Sequence, residues 1–81
     1  MKAKQPRRTD DLLIEMVIQR IKQLRNEHGF SQEYVIAQTR LDISSLETGR
    51  TAPTLFSISI LCQFYHITLS EFFSAFNYPQ E

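Results

Sequence analysis

Apolar side chains recur at helical spacing in the first third of the chain. The positions that share one helical face are Leu13, Val17, Ile21 and Leu24, with Met16 alongside. This period predicts an amphipathic helix over about 10–28. Thr9 or Asp10 precedes it as a capping residue, with acids in the first turn, where the helix dipole favours them. Gly29 ends it, because glycine adopts the left-handed conformation at low cost.

Two short helices and a tight turn are predicted next. Ser31 caps a second helix over 32–38. Asp42, as a cap or first-turn acid, begins a third helix over about 42–48, and Gly49 ends it. The side chains of these helices that we expect to face inward are Val35, Ile36, Ile43 and Leu46.

A fourth helix is capped by Thr54 and runs to about Tyr65. Its predicted core face consists of Leu55, Ile58, Leu61, Cys62 and Tyr65. Thr68 and Glu71 form a capping box that opens a fifth helix, which is expected to continue to about Phe76. No alternating pattern of strand length occurs, so we predict an all-α fold, a compact five-helix domain.

The 81 residues are enough for one domain. We expect a flexible basic arm over 1–8, a helical domain over 9–77 and a tail over 78–81. Cys62 is the one cysteine, so no disulfide framework is expected, which fits a reducing cytoplasm. No apolar run approaches the roughly 20 residues that a membrane span needs, so we expect a soluble, cytoplasmic protein.

Positive charge is concentrated near the N-terminus although the formal net charge is zero. Lys2, Lys4, Arg7 and Arg8 lie within the first eight residues, whereas 54–81 contain no lysine or arginine. An electrostatic field that attracts phosphate must therefore come mostly from the N-terminal third.

Three motifs occur in order along the chain: RIKQLRNEHGFSQE over 20–33, LETGRTAPTL over 46–55 and ITLSEFF over 67–73. Together they resemble the Cro/lambda-repressor (XRE) family of helix-turn-helix DNA-binding domains, over roughly 17–74, in a short-turn subgroup. The matching residues are Ile21, Leu24, Arg25, Gly29, Ser31, Gln32, Leu46, Glu47, Gly49, Pro53, Leu55, Ile67, Leu69, Glu71 and Phe73. The resemblance implies a lambda-repressor-like domain whose helix 3 enters the major groove while helix 2 crosses the DNA backbone.

Two glycines that are usual in this family are replaced here. Arg40 stands in the turn before helix 3, and His66 stands after helix 4. Both are expected at positive φ, which a residue other than glycine adopts at some cost. The segment between Thr39 and Leu46 is also about three residues shorter than the common pattern, which leaves fewer side chains on helix 3 to reach bases.

The resemblance assigns the DNA surface to helix 2, helix 3 and the loop that follows. The residues predicted to contact DNA are Gln32, Arg40, Asp42, Ser44, Ser45, Thr48, Arg50 and Thr51. Gln32 is placed for a phosphate at the first turn of helix 2. Arg40 can bond two acceptors on guanine, Asp42 can accept from cytosine, and Ser45 can meet any base edge. The alternative is a solvated polar face, on which Asp42 neutralises Arg40 or repels phosphate.

Two further sets of charged residues have predicted roles, one in the N-terminal arm and one between helices 1 and 3. Lys4, Arg7 and Arg8 are predicted to lie along phosphates or in a minor groove; a disordered, solubilising terminus is the alternative. Arg25 and Glu47 fall where the family commonly forms an ion pair between helix 1 and helix 3. Such a pair would orient helix 3, and it would neutralise an acid that otherwise repels DNA.

Aromatic residues are concentrated toward the C-terminus, with seven of nine in 56–78. Phe56, Ile60 and Phe64 repeat every four positions on a face of helix 4 away from its expected core. An uncovered apolar patch normally marks an interface. The residues proposed for a homodimer interface are Phe56, Ile60, Phe64, Phe72 and Phe76. The dimer would present two reading helices to half-sites about 34 Å apart; alternatively, the C-terminal tail covers the patch.

Catalysis is not expected. His28 and His66 have no partners at metal-ligand spacing, and two glycines cannot build a loop that cradles phosphate. We therefore expect no metal, no cofactor, no membrane contact and no small-molecule ligand. The sequence predicts a transcriptional regulator that binds double-stranded DNA as a dimer and acts by occupancy, as a repressor or by contacting polymerase. The alternative is a protein-interaction module that uses the aromatic surface of helices 4 and 5, with weak or no DNA binding.

Overall fold

The computed structural model describes residues 10–79 as five α-helices, and no strand occurs in that range. The helices are α1 (Asp11–Glu27), α2 (Gln32–Thr39), α3 (Ile43–Thr48), α4 (Leu55–Tyr65) and α5 (Leu69–Phe72). Helix α3 packs on α1 and α2, and α4 packs on α2 and α5. The prediction of a compact, all-α, five-helix fold is confirmed.

Side-chain caps explain where α1, α2 and α3 begin. Asp10 Oδ1 accepts a hydrogen bond from the Leu13 amide at 3.0 Å. Ser31 Oγ does the same for the Tyr34 amide at 3.0 Å. Each cap satisfies an amide that the first turn of a helix leaves without a partner, which stabilises the helix by about 1 kcal/mol.

Both expected exceptions to the glycine rule occur. Arg40 ends α2 at φ 65° and His66 ends α4 at φ 59°. A side chain in this left-handed region costs on the order of 1–2 kcal/mol. The turn at Arg40 is supported locally, because Thr39 Oγ1 accepts from the Leu41 amide at 3.2 Å. Gly49, which ends α3 at φ 82°, adopts the same region without that cost.

Capping boxes open α4 and α5. The Thr54 amide donates to Ser57 Oγ at 2.9 Å, and the Ser57 amide donates to Thr54 Oγ1 at 3.0 Å. Thr68 and Glu71 make the same exchange at 2.8 and 2.9 Å. The polar residues at these starts therefore fix where the last two helices enter the domain.

Helix α5 is shorter than predicted, since it ends at Phe72 and not near Phe76. A longer helix would need the carbonyl oxygens of Glu71 and Phe72 to accept from amides one turn later. The guanidinium of Arg20 already donates to both, from Nη2 at 3.0 Å and from Nε at 2.8 Å. Ser74 Oγ also donates to Glu71 O at 3.0 Å, a side-chain bond that competes with a helical one.

The core lies between the five helices, each of which contributes at least one buried apolar side chain. Its buried apolar residues are Val17, Ile21, Leu24, Val35, Ile43, Leu46, Ile58, Leu61, Cys62, Tyr65 and Phe72. Burial raises the pKa of the Cys62 thiol and of the Tyr65 hydroxyl. The inward positions predicted from the helical period mostly belong to this core, and Ile36 is packed against it.

Two predictions of burial were wrong in opposite directions. Leu55, expected in the core, is 73% exposed. It is the first residue of α4, and side chains on a helix point back toward the N-terminus, so it extends past the helix end. Phe72, expected on a dimer surface, is fully buried, with the Arg20 guanidinium 5.7 Å from the centre of its ring. Phe72 is thus removed from the proposed interface.

Candidate nucleic-acid interface

Arg25 of α1 and Glu47 of α3 form a two-point ion pair. Arg25 Nε donates to Glu47 Oε2 at 2.7 Å, and Arg25 Nη2 donates to Glu47 Oε1 at 2.9 Å. The Glu47 side chain is only 3% exposed, against 17% for Arg25. A planar guanidinium that meets a carboxylate at two points fixes orientation as well as distance. The pair therefore sets the position of α3 on α1.

Gln32 and Phe30 extend this pair to the start of α2. Gln32 Nε2 donates to Glu47 Oε1 at 3.0 Å, and Arg25 Nη1 donates to the Phe30 carbonyl oxygen at 3.0 Å. One N–H of the Gln32 amide, predicted for a phosphate, is thus engaged within the fold. The first turns of α2 and the last turns of α1 and α3 meet at one charged, hydrogen-bonded node.

The contacts of Arg25 and Gln32 with Glu47 determine how much charge Glu47 adds to α3. Burial raises the pKa of the Glu47 carboxyl, but hydrogen bonds from Arg25 and Gln32 and the Arg25 charge outweigh it, so the pKa lies below its usual range. The hydrogen bond to Glu47 in turn raises the pKa of the Arg25 guanidinium. At neutral pH the pair is ionised and its charges cancel, so this acid does not repel a phosphate near α3.

Ser45 does not face outward as predicted. It is buried, and its hydroxyl donates to Asp42 Oδ2 at 2.8 Å while its amide donates to Asp42 Oδ1 at 3.2 Å. The pair with Arg25 brings the Glu47 side of α3 against α1, so the buried arc is wider than Ile43 and Leu46 alone would make it. Ser45 is therefore a capping partner of α3, with little exposed surface left to meet a base.

Asp42 is exposed at the start of α3, and it carries a structural role there. The hydroxyl of Ser45, then its amide, and then the charge of Arg50 lower the pKa of the Asp42 carboxyl. The two oxygens already accept from Ser45, and their remaining lone pairs face solvent. Two exposed arginines flank this helix in the chain, Arg40 before α3 and Arg50 after it, and the charge of Arg50 acts on the Asp42 carboxyl.

The remaining predicted contacts surround α3. Arg40, Thr48, Arg50 and Thr51 are exposed, and Ser44 is half-buried. Thr48 Oγ1 donates to the Ser44 carbonyl oxygen at 2.9 Å, which leaves its lone pairs to accept from a partner. Five of the predicted residues therefore remain at least partly accessible on α3 and in the turns that flank it, with an arginine in each turn. The predicted arm contacts Lys4, Arg7 and Arg8 lie outside the described residues.

Arg20 has a role that the sequence did not indicate. Its Nε donates to Phe72 O and its Nη2 to Glu71 O, at separations of 52 and 51 positions along the chain. Its donors Nε and Nη2 are therefore engaged in holding the end of α5. No local pattern signals such a bond, because its acceptors are backbone carbonyls far along the chain.

The aromatic surface predicted on α4 divides into two parts. Phe56 is 76% exposed, whereas Ile60, Phe64 and Phe76 are half-buried. Phe64 packs in a cluster whose other rings are His28, Phe30, Tyr34 and Tyr65, with ring centres 4.7–6.3 Å apart. The part played by His28, Phe30 and Tyr34 in this cluster was missed, because they lie on other elements of the chain.

Comparisons with models of protein families, with curated proteins and with solved structures give no match. No helix within residues 10–79 has the length and apolar character needed to cross a bilayer. In the same range, no cluster of three or more histidine, cysteine or acidic side chains is arranged to hold a metal ion. The geometry around α3 is therefore the basis for a functional proposal.

Proposed function

We propose that this protein is a helix-turn-helix DNA-binding transcriptional regulator of the Cro/lambda-repressor type, which acts as a homodimer in the cytoplasm without catalytic activity. Helix α3 enters the major groove, and the start of α2 lies across the DNA backbone. The resemblance of the three ordered motifs supports this assignment. In this proposal the protein acts by occupancy of an operator, as a repressor or through contact with polymerase.

One observation carries the proposal: α3 has an exposed arginine at each end and a cancelled acid within it. Arg40 and Arg50 lie on either side of the helix, and Glu47 is paired with Arg25 at 2.7 Å. With the exposed Asp42 counted and the Glu47 charge cancelled by Arg25, the side chains of 40–50 carry one net positive charge, although the net charge of the chain is zero. Arg40 is suited to guanine and Arg50 to a backbone phosphate.

The alternative, a protein-interaction module, is favoured by one observation on α4. Residues 53–70 contain no lysine, arginine, aspartate or glutamate, and Phe56 is 76% exposed within them. An uncharged apolar surface suits a protein partner. The same surface also serves a dimer, so its presence does not by itself separate the two functions.

Selection from random duplex DNA, followed by a salt titration on the best site, tests the proposal. We expect a two-fold symmetric site, and an affinity that falls steeply with salt because phosphate contacts release counterions. Absence of enrichment, with weak or salt-insensitive binding, would reject DNA reading and favour the interaction module.

A pair of variants with equal charge change assigns the surface. Arg50→Gln removes one positive charge beside α3, and we expect it to weaken binding to all sequences and reduce the salt slope by about 1. Asn77→Asp adds one negative charge at an exposed position after α5, outside the uncharged stretch 53–70, and serves as the control. Equal losses in both variants would mean that net charge, and not the α3 surface, determines affinity.

A further inference from the structure

An apolar groove lies beside the first turn of α4. Its volume is about 190 Å³, and its seven lining residues are all apolar. The lining comes from Leu13, Ile14 and Val17 of α1, from Leu55 and Ile58 of α4, and from Pro53 and Phe73. A groove without a polar lining offers nothing to orient a polar ligand, so an apolar group is its suitable occupant.

The chain also exposes a side chain of the matching size next to this groove. Phe56 is the most exposed of its large apolar side chains, at 76%, and it directly follows Leu55 on the groove wall. A turn of about 100° per residue directs Phe56 away from the groove of its own molecule. An apolar cavity of roughly 150 Å³ holds a benzene ring, so a groove of 190 Å³ accommodates a phenyl side chain.

The charge pattern favours a second copy of this chain as the source of that ring. The stretch 53–70 carries no lysine, arginine, aspartate or glutamate, so two such faces meet without like-charge repulsion. A two-fold interface requires a self-complementary patch. This patch is self-complementary, because it contains both a projecting ring and a groove of the right size.

We propose that two copies of this chain associate by mutual insertion, in which Phe56 of each copy enters the groove formed by Leu13, Ile14 and Leu55 of the other. The inference rests on the homodimer of the proposed function and specifies its contact. It replaces a broad aromatic face with one inserted ring per copy. Phe64 then serves the aromatic cluster within its own molecule, where its ring centre lies 4.8 Å from that of Tyr65.

Sedimentation velocity over micromolar concentrations, without DNA, measures the association. Phe56→Ser is expected to weaken it about 100-fold or more, because two rings per dimer lose their apolar site. Leu69→Ser removes an apolar side chain that is 48% exposed on α5 and does not line the groove, and we expect it to associate like the native chain. Both positions are exposed, so both variants should fold, which circular dichroism checks.

Nuclear Overhauser effects in a mixture of ¹³C-labelled and unlabelled chains locate the ring. We expect intermolecular contacts between the Phe56 ring and the methyl groups of Leu13 and Ile14. A native chain that stays monomeric, contacts of Phe56 with Phe56 or Ile60 of the other copy, or occupation of the groove by residues 1–9 of the same copy would each overturn the inference. A dimer with these contacts that selects no DNA would support it while rejecting the proposed function.

Discussion

Glu47 on α3 accepts two hydrogen bonds from Arg25 on α1, at 2.7 and 2.9 Å. The carboxylate is 3% exposed and the guanidinium side chain 17%, so the pair is largely withdrawn from solvent. Removal of one partner from a buried pair leaves the other without compensation, which costs more than the pair itself contributes.

Glu47→Gln is therefore expected to lower the free energy of unfolding by about 1–3 kcal/mol, since the partly buried Arg25 loses its charged acceptor. The measurement is urea or thermal denaturation, where each kcal/mol corresponds to roughly 4–8 °C in Tm for a domain of this size. Glu33→Gln, at an exposed position of α2, is the control and should change little. An unchanged Tm for Glu47→Gln would remove the pair from the account of stability.

The Glu47 carboxyl should also make the stability of the domain depend on pH. The pKa of Glu47 is lowered in the folded state from an ordinary value of 4.5. A group of this kind binds fewer protons when folded, so its contribution is fully present above pH 4.5 and is lost as the pH falls through the lower, folded pKa. Asp42, whose pKa is also lowered, adds in the same direction.

Stability should thus decline below about pH 4.5, and Glu47→Gln should show a shallower decline than the native chain. Chemical denaturation at a series of pH values between neutrality and strong acid measures both slopes. Equal slopes for the two proteins would show that other carboxyl groups account for the acid sensitivity.

Substitution of Arg20, which lies on α1, is expected to affect the distant end of α5. Arg20→Ala removes the donors to Glu71 O and Phe72 O, and we expect a loss of about 1–2 kcal/mol in stability. Amide exchange in 69–76 should increase, since this arginine holds the end of α5. Gln19→Ala, one position earlier at an exposed site, is the matched control. Exchange rates that stay unchanged would mean that packing of Phe72 alone holds the segment.

Substitutions at Ser45 and Arg40 distinguish a structural role from contact with DNA bases. Its hydroxyl is buried against Asp42, so Ser45→Ala should reduce stability by about 1 kcal/mol and leave the selected DNA sequence unchanged. Arg40→Gln, at the exposed turn, should instead alter the preferred base at one position. Selection and sequencing with both variants gives the comparison. A changed base preference for Ser45→Ala would place that hydroxyl at the DNA.

Most element boundaries could be read from the sequence, because they depend on groups that are close along the chain. Asp10, Ser31, Thr54 and Thr68 each cap an amide three positions ahead, so identity and spacing were sufficient. The end of α5 could not be read in this way, because Arg20 reaches its carbonyl groups from α1.

In the candidate site, too, some features depend on neighbouring residues and others on distant ones. The apolar period and the caps determined five helices and most of the core, since each depends on local hydrogen bonds and on which face is apolar. Only the tertiary structure decided which polar side chains of α3 remain available. Ser45 is buried and Glu47 is neutralised because α1 lies against α3. Exposure and charge at a surface depend on what packs behind it, and the local sequence does not record that.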